Sequence, residues 1–525
     1  MKRALITSAA YVTSELAAEF GVVPPSFLPL GNRRLYEHQL QYLAKESDAV
    51  FISLPQSFVV PSPDIEVLRR GNVSVLCIDD GLSLRESVLQ AMNLMGFEPG
   101  DELIILHGDT LIEGGLPAES FAVADKPRAY EWSAVDINSD GVISGILPTS
   151  AVDERRNGSE AVLCGYFRIE NWQSFVVDLA MASRFEEGLD RYARKRNVLA
   201  TNPSNWFDFG HAQSYYGSRS QLTTQRSFNS LRVDGRTVTK SSEKPNRIDA
   251  ESSWYREIPE DLRVFAPQYL GRTESSYSIE YLNLPSLADL FVFGDLQRST
   301  WRRIFDACAE FLVIARPHST LLDGFSAVDL YRGKTLRRLE EFGAALGISL
   351  DAPWRVNGKL LPPLRDFVDD LMGMIKPLDT SRLSIVHGDF CFGNILYDFK
   401  SDAVKVIDPR GEDSAGRLTI YGDQRYEMAK LHHSAIGLYD VIMSGRLTAT
   451  VLGPYELDYR RDSTDSQLAA GVEFHSLIES ISPGESGAIS AISALLFLSM
   501  LPLHSDDQAR QAALLANAYS LRWDV

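Results

Sequence analysis

The sequence predicts an α/β domain built on a largely parallel sheet, followed by an α+β domain. Short apolar runs alternate with helical patterns up to about residue 215, an order typical of parallel sheets with helices on both faces. A polar stretch follows, and beyond it a hairpin pattern gives way to a mostly helical pattern from residue 297. At roughly 100–200 residues per domain, the length of 525 residues accommodates two to four domains.

Four apolar runs and the helical patterns between them predict the first domain. The runs that predict strands are RALITSA, AVFISL, VSVLCI and ELIILHGD, and the patterns that predict helices are LYEHQLQYLAK and LRESVLQAMNLM. Parallel strands need crossover connections, which helices usually supply, so this order favours a doubly wound sheet.

The second domain begins after a predicted linker, GSRSQLTTQRSFNS (217–230). Asp234-Gly235 is a strong turn signal and predicts a hairpin, which a helix ended by Pro259 follows. Residues 277–291 predict a strand, a hinge and a helix. We expect a first domain at 1–220, and the resemblance described below implies a small lobe at 221–285 and a large lobe at 286–525.

Composition and charge narrow the class of protein. The formal net charge of -18 argues against nucleic-acid binding through a basic surface. The four cysteines are widely spaced, so neither a zinc site nor a disulfide framework is indicated. No apolar signal segment follows the N-terminus, and the apolar run 487–504 is interpreted as a buried helix. We expect a cytoplasmic protein without membrane insertion.

The segment SIVHGDFCFGNILYD (384–398) mixes polar side chains with an apolar frame, as catalytic loops do. Phosphoryl transfer needs an oriented acceptor hydroxyl, Mg2+ and a cationic grip on the nucleotide phosphates. Asp389 is suited to accept the hydroxyl proton, and Asn394 and Asp408, at a strand end, to ligate Mg2+. Lys240 on the hairpin would hold the phosphates, and Glu251 in the next helix would pair with Lys240.

This order of motifs resembles the aminoglycoside phosphotransferase and choline kinase family over roughly residues 223–525. The resemblance implies a bilobal kinase-like fold that uses ATP and Mg2+, with Asp389 as catalytic base. The remaining roles that it implies are nucleotide binding by Lys240, Glu251, Glu280 and Leu282, metal binding by Asn394 and Asp408, and substrate binding by His387, Asp423 and Arg410. For Asp423 an alternative role, bracing the loop, stays open.

One departure from that family precedes Lys240, where the segment RSFNSLRVDG contains no glycine-rich loop. Ser227 and Asn229 are candidates to cover the phosphates instead. A protein kinase is the less favoured alternative, because His-Gly-Asp replaces His-Arg-Asp and the Asp-Phe-Gly and Ala-Pro-Glu segments are absent.

A second set of carboxylates lies in the first domain. The predicted strand ELIILHGD ends at Asp109, and Asp208 lies in SNWFDFGHAQSYY before a glycine and a helix. Ligands of open α/β sheets bind at the carboxyl ends of the strands. Two carboxylates on one Mg2+ there could hold a nucleoside triphosphate while a sugar phosphate attacks its α-phosphorus.

Residues 1–218 resemble the sugar-phosphate nucleotidyltransferases, a Rossmann-like fold, through FLPLGNRRLYEHQ, HGDT, CGYFRIEN and WFDFGHAQSY. The resemblance implies that Asp109 and Asp208 hold the metal. The first strand, however, runs into TSAAYVTSELAAEFG, without the family's glycine-rich loop, and the family's lysine is absent. Arg33 or Arg34 could substitute for one cation. An active transferase and a domain that only binds substrate or product remain as alternatives.

Together the two resemblances imply a bifunctional enzyme. The second domain would phosphorylate a sugar, polyol or amino alcohol, and the first would couple that phosphate to CTP, UTP, GTP or dTTP. By analogy, the activated donor would serve surface polysaccharide synthesis. The alternatives are a kinase with an inactive first domain and a non-catalytic regulator that binds nucleotides or sugar phosphates. The acceptor, the nucleotide base and homo-oligomer formation stay open.

Overall fold

A computed structural model describes residues 1–127, 132–147, 159–222, 229–234, 236–321, 325–377 and 383–523. The chain divides into two compact units, Met1–Leu222 and Thr223–Val525. Each unit has its own sheets, helices and buried core.

The first unit alternates strands and helices, as the sequence predicts. Its strands are β1 (Lys2–Thr7), β2 (Pro29–Leu30), β3 (Arg33–Arg34), β4 (Ala49–Pro55), β5 (Val73–Ile78), β6 (Glu102–His107), β7 (Thr110–Glu113), β8 (Ser120–Pro127), β9 (Ala134–Ile137), β10 (Ile143–Leu147), β11 (Ser159–Ile169), β12 (Leu199–Thr201) and β13 (Asn205–Asp208). Its helices are α1 (Ser14–Phe20), α2 (Leu35–Leu43), α3 (Ser62–Arg70), α4 (Leu84–Leu94), α5 (Trp172–Ala180), α6 (Phe185–Arg196) and α7 (Ala212–Gln221). All four predicted strands and both predicted helices are present.

The main sheet of the first unit has a Rossmann-like centre. Strands β5, β4, β1 and β6 lie side by side in this order and are mutually parallel. The order of the strands reverses between β1 and β6, which is where doubly wound sheets bind ligands. Strand β11 then pairs antiparallel with β6 and makes the sheet mixed. In β1, Ala4, Leu5 and Ile6 are fully buried, as expected of a strand covered on both faces.

The second unit combines a small antiparallel sheet with many helices. Its strands are β14 (Asn229–Asp234), β15 (Thr237–Ser242), β16 (Tyr269–Arg272), β17 (Ser276–Glu280), β18 (Ser319–Thr320), β19 (Trp354–Val356), β20 (Lys359–Leu361), β21 (Leu383–Ile385), β22 (Ile395–Asp398), β23 (Ala403–Val406), β24 (Tyr421–Gly422), β25 (Ala449–Gly453) and β26 (Glu456–Tyr459). Its helices are α8 (Pro245–Glu257), α9 (Leu287–Phe293), α10 (Arg298–Ala315), α11 (Lys334–Leu346), α12 (Leu364–Met374), α13 (Gln424–Ala435), α14 (Tyr439–Met443), α15 (Asp465–Ile481), α16 (Ser486–Met500) and α17 (Gln508–Ser520).

The small sheet has the strand order β14-β15-β17-β16 and is antiparallel throughout. The predicted hairpin is its β14–β15 pair, and α8 packs on β15 and β17. A second hairpin, β22–β23, lies in the helical part of the unit. Both hairpins contribute residues to the site described below.

The predicted linker at 217–230 is wrong over its first residues. Helix α7 continues to Gln221, because Tyr215, Tyr216 and Ser218 are buried and hold this polar segment against the first unit. Ser227 lies outside the described residues, and of Asn229 only the backbone, at the start of β14, is described.

The apolar run near the C-terminus forms α16 and a short 3-10 turn. By length and composition the stretch Ser486–His504 could cross a membrane, and 67% of its most apolar 18-residue segment is buried inside the protein. It packs against α11, α12, α13 and α17. Helix α16 is therefore a central helix that other helices surround.

Gly411 controls how closely the chain after β23 approaches α8. Its φ is +65°, and a Cβ there would come within 1.9 Å of the Ala250 carbonyl oxygen. Ala250 precedes Glu251, so this close approach also sets the position of the Glu251 side chain.

We expect Gly411→Ala to displace α8 and to lower the stability of the protein by about 3 kcal/mol, because left-handed strain and a steric clash add. Gly416→Ala is the matched control, since Gly416 has a φ of +77° but open space around it, and it should cost only about 1 kcal/mol. Differential scanning calorimetry would give the two shifts of the melting temperature. Equal shifts would contradict the close approach.

Candidate functional site

The polar residues of the His-Gly-Asp segment meet at one end of the β22–β23 hairpin. Asn394 directly precedes β22, and Asp408 follows β23, so antiparallel pairing brings them to the same end. The Ile407 amide donates to the Asn394 carbonyl at 2.9 Å. The Asn394 side chain donates from Nδ2 to the Asp389 carboxylate and to its main-chain carbonyl, both at 2.9 Å. Asp389, Asn394 and Asp408 therefore form one polar cluster.

Lys240 joins this cluster from the small sheet. Its Nζ atom lies 2.7 Å from Glu251 Oε2 and 3.1 Å from Asp408 Oδ1, so the predicted pairing with Glu251 is present. Tyr277 donates its hydroxyl hydrogen to Glu251 at 2.8 Å and holds that carboxylate in place. Burial lowers the pKa of Lys240, but the charges of Asp408 and Glu251 outweigh this and raise the pKa, so the ammonium stays charged.

The backbone at Asp408 is itself unusual, because this residue has a left-handed φ of +57°. A non-glycine residue in this conformation carries strain, and such residues concentrate at functional sites. Here the conformation lets the chain turn out of β23 while Asp408 stays within reach of Lys240. Asp408 remains 39% exposed, so its carboxylate is open to a ligand.

Lys430 is a site residue that the sequence interpretation missed. Its Nζ atom lies 2.8 Å from Asp389 Oδ1. Burial raises the pKa of Asp389, but the nearby Lys430 charge outweighs this and lowers the pKa to about 2. Asp389 is therefore a carboxylate at neutral pH, held by Asn394 on one side and by Lys430 on the other.

Glu427 is the second missed residue, and it holds the backbone of the loop. It is fully buried, and its two carboxylate oxygens accept hydrogen bonds from the amides of His387 (2.7 Å) and Gly388 (2.9 Å). The sequence contained one signal for both missed residues. Glu427 and Lys430 are charged and lie one turn apart on the same face of α13, which is otherwise largely buried. Burial raises the pKa of Glu427 to about 7.

The three residues predicted to bind substrate do not share one role in the structure. His387 is fully buried, with its ring against Trp254 and Phe390, so a substrate cannot reach it as predicted. Burial lowers the pKa of His387 to about 4, and it is neutral at physiological pH. His387 instead packs the loop onto α8.

Asp423 is also buried, and its contacts match the bracing alternative rather than a substrate contact. Its carboxylate accepts from the amide and guanidinium of Arg425 and from the Tyr331 hydroxyl at 2.7 Å. Arg410 is half-buried and lies against Gly388, where an added Cβ would be 2.7 Å from Arg410 Cβ. Of the three, only Arg410 remains near Asp389 with an accessible side chain.

The segment predicted to face the adenine follows β17. Glu280 is exposed, and its carboxylate accepts from the Gln268 amide at 3.3 Å. The Tyr281 amide donates to the Arg236 carbonyl at 2.8 Å. Among the described residues, none hydrogen-bonds to the main chain of Leu282, which leaves that amide and carbonyl open to a ligand.

In the first unit the two predicted carboxylates meet around Gly210. Antiparallel pairing of β13 with β7 sets Asp208 opposite Thr110, the residue after Asp109. A Cβ on Gly210 would lie 2.8 Å from Asp109 Oδ2 and 3.4 Å from Asp208 Oδ1. The Phe209 amide donates to the Asp109 carbonyl at 2.8 Å and fixes this arrangement.

The two carboxylates disfavour each other's charge. Burial raises the pKa of Asp109, and burial together with the Asp109 charge raises that of Asp208. Asp208 Oδ2 is buried and has no hydrogen-bond donor among the described residues. A divalent cation would relieve this repulsion and give Oδ2 a partner, so the pair fits Mg2+.

The expected triphosphate loop has a different construction here. Ser8, after β1, accepts hydrogen bonds from the Ser26 amide (3.1 Å) and hydroxyl (2.7 Å), and both serines are buried. Arg34 is buried, donates to the Phe27 carbonyl at 2.7 Å and pairs with Asp64 at 3.3 Å. Arg34 is therefore committed to the fold and is not the substitute cation, whereas Arg33 is exposed.

The second unit also has oxygen ligands suited to Mg2+. The Asp408 carboxylate is half-exposed, and Asn394 Oδ1 accepts no hydrogen bond from the described residues. Within the described ranges, no cluster of three or more His, Cys, Asp or Glu side chains could hold a metal alone. Either site would therefore complete its coordination with phosphate oxygens and water, as nucleotide-bound Mg2+ does.

Comparison with known proteins gives structural likenesses only. No protein-family model matches the chain, and no curated protein matches its sequence. HddC from Yersinia pseudotuberculosis matches 42% of this chain and 100% of its own, with 16% identity and a TM-score of 0.33. CTP:phosphocholine cytidylyltransferase (LicC) from Streptococcus pneumoniae matches 42% of this chain and 99% of its own, with 10% identity and a TM-score of 0.34.

Glu427 makes the stability of the second unit depend on pH. Its folded pKa of about 7 lies above the ordinary value of 4.5, so the folded protein keeps a proton there that the unfolded chain has lost. The resulting stability is complete below pH 4.5 and is lost as the pH rises toward 7. Relative to Glu427→Gln, which does not titrate, we expect the wild type to lose up to about 1.4 kcal/mol per pH unit in this window.

Urea unfolding of both proteins between pH 4.5 and 8 measures this difference. Other titrating groups are common to the two chains and cancel in the comparison. Parallel stability curves would contradict the raised pKa of Glu427.

Proposed function

We propose that the second unit is a kinase that transfers the γ-phosphoryl group of Mg-ATP to a hydroxyl group of a small molecule. The observation that carries this proposal is the convergence of Lys240, Asp408, Asn394 and Asp389 at the end of one hairpin. Phosphoryl transfer needs this combination of a phosphate-binding cation, metal ligands and a proton acceptor. The small antiparallel sheet beside a helical part supports a bilobal kinase-like fold of the aminoglycoside phosphotransferase type.

In the proposed reaction, the acceptor hydroxyl oxygen forms a bond to the γ-phosphorus. The bond between that phosphorus and the β–γ bridging oxygen breaks, and ADP leaves with the electron pair. The hydroxyl proton passes to Asp389. Since the pKa of Asp389 is lowered to about 2, the carboxylate accepts this proton only as the new P–O bond forms.

The other residues orient the reactants. Asn394 and Lys430 hold Asp389 in one orientation, and Glu251 holds Lys240 for the nucleotide phosphates. Asn394 Oδ1 and Asp408 are the residues that would hold Mg2+, which neutralises phosphate charge when bound. The open main-chain groups of Leu282 would bind the adenine edge.

For the first unit we propose nucleotidyl transfer. A phosphate oxygen of the phosphorylated substrate would form a bond to the α-phosphorus of a nucleoside triphosphate, and pyrophosphate would leave. Asp109 and Asp208, which meet at Gly210, would hold the Mg2+. The product would be an activated donor for surface polysaccharide synthesis in the cytoplasm.

A second candidate for the first unit is binding without transfer. The Ser8–Ser26 hydrogen bonds and the commitment of Arg34 to Asp64 favour it, because they leave no flexible glycine loop or free Arg34 to hold a triphosphate. The metal carboxylates are common to both candidates. A product assay with each nucleoside triphosphate, after the kinase substrate is known, separates them.

We expect acceptor-dependent release of ADP from Mg-ATP by the full-length protein. Asp389→Asn should lower kcat about 10²–10⁴-fold, because it removes the proton acceptor but leaves the volume of the side chain. Lys240→Met should raise the KM for ATP, and Lys244→Met, at an exposed position before α8, is the control that should change neither constant. A coupled ADP assay against sugars, polyols, amino alcohols and their acidic derivatives measures this. ATP binding with no release of ADP would instead support a non-catalytic regulator.

Metal binding tests both pairs of ligands independently of turnover. With a non-hydrolysable ATP analogue present, we expect Asp408→Asn and Asp208→Asn each to lose part of the bound Mn2+, and the double variant to lose all of it. Electron paramagnetic resonance counts free Mn2+ directly. Asp140→Asn, at an exposed turn, should bind as the wild type does. Undiminished binding by Asp208→Asn would contradict a metal site in the first unit.

A further inference from the structure

Cationic side chains cluster next to Asp389 on the side of α11 and α13. Lys334 and Tyr426 line one small cavity, together with Ser499, whose carbonyl accepts from Arg338 at 2.8 Å. Lys430 lies one helical turn after Tyr426, with its Nζ 5.9 Å from the centre of that ring. Arg410 lies on the loop against Gly388, next to Asp389, which Lys430 contacts.

Most of these charges lack a counter-charge. Lys430 pairs with Asp389, but no carboxylate of the described residues lies within ion-pair distance of Lys334, Arg338 or Arg410. All three are half-buried, so solvent screens their repulsion incompletely. Half-buried cations without a counter-charge are costly, and sites for anionic ligands are places where proteins keep them.

The pKa values of Tyr426 and Lys334 are both lowered, as expected where positive charge is in excess. Burial raises the pKa of Tyr426, yet the charges of Lys334, Lys430 and Arg410 outweigh it and the pKa is below its usual value. The Tyr426 phenolate would raise the pKa of Lys334. Burial and the charges of the neighbouring Arg410, Arg338 and Lys430 nevertheless lower it.

The position of the cluster separates it from the nucleotide phosphates. Lys240 comes from the small sheet and meets Asp408, whereas Lys334 and Arg338 belong to α11, which packs on α12 and α16. In an in-line transfer the acceptor hydroxyl lies at Asp389, opposite the leaving ADP. The cations around Tyr426 lie beside Asp389, because Lys430 contacts both groups.

We propose that the phosphoryl acceptor carries an oxyanionic group, a phosphate or a carboxylate, which binds to Lys334, Arg338 and Arg410. This inference rests on the proposed kinase function and specifies its substrate class. It disfavours cationic amino alcohols, since a positive charge would meet three like charges. Neutral sugars and polyols would leave the cluster without a counter-charge.

The test compares acceptors that differ in one group. In the coupled ADP assay, glycerol and glucose form the neutral arm, choline and ethanolamine the cationic arm, and glycerol 3-phosphate, glucose 6-phosphate, glycerate and gluconate the anionic arms. We expect turnover in an anionic arm only, and the phosphate and carboxylate arms distinguish the two groups. Preference for a neutral or cationic acceptor would overturn the inference while leaving the kinase intact.

Variants on α11 test the cluster itself. We expect Lys334→Met to raise the KM for the anionic acceptor about tenfold or more, the effect of losing one charge-assisted contact, with the KM for ATP unchanged. Lys334→Arg should restore binding. Arg337→Met is the matched control, because exposed Arg337 pairs with Asp329 at 3.1 Å. Equal KM values for Lys334→Met and Arg337→Met would overturn the inference.

A binding measurement decides the case in which no acceptor is turned over. Inorganic phosphate, added with saturating Mg-ADP, should raise the melting temperature of the wild type and of Arg337→Met but not that of Lys334→Met. That result would support an oxyanion site even if the kinase proposal failed. The same phosphate shift in all three proteins would overturn the site, and circular dichroism verifies that each variant is folded.

Discussion

The ion pairs of Lys240 with Glu251 and Asp408 are the interaction on which the candidate site of the second unit depends. They connect the small sheet, α8 and the end of the β22–β23 hairpin through one ammonium group. Burying such a charge is costly unless every partner is in place. The removal of one partner leaves a buried charge without compensation. The same contact therefore positions the Lys240 ammonium group and makes its position sensitive to α8. Gly411 contributes to this arrangement, because it permits the close approach to Ala250 in α8.

Around that contact, the loop at Asp389 is held by fully buried groups. Glu427 accepts hydrogen bonds from the amides of His387 and Gly388, and His387 packs its neutral ring against Trp254. The buried Glu427 carboxylate and the two amides satisfy one another, and this requirement favours one conformation of the loop. The rigidity of the loop keeps Asp389 between Asn394 and Lys430.

The two carboxylates of the first unit lie beside like charge, whereas the Asp408 carboxylate of the second unit lies beside a cation. Asp408 has a lysine beside it, whereas Asp109 and Asp208 face each other, and Asp208 Oδ2 lacks a donor among the described residues. Their mutual repulsion leaves a strong preference for a cation at that point. The neighbouring serine contacts and the Arg34–Asp64 pair show that the loop after β1 is built on side-chain hydrogen bonds rather than on glycine flexibility.

The sequence alone determined the elements and identified most residues of the candidate site, because both depend on local patterns. Strands β1, β4, β5 and β6 follow from apolar runs, and Asp389, Asn394 and Asp408 follow from spacing within one short segment. Even the pairing of Lys240 with Glu251 could be predicted, since a hairpin and the next helix bring them together. The end of α7 could not, because buried Tyr215 and Tyr216 override the polar composition of the segment.

Only the tertiary structure decided which polar side chains are exposed and which charges meet. His387 and Asp423 resemble substrate ligands in sequence, but burial makes one a packing group and the other a brace. Lys430 and Glu427 acquire their roles from contacts with residues some 40 positions away. Lys334 and Arg338 lie one turn apart on α11, but Arg410 and Lys430 come from distant parts of the chain and join them only in the folded protein. Electrostatic free energy depends on distance and burial in three dimensions, and neither quantity is encoded in local sequence pattern.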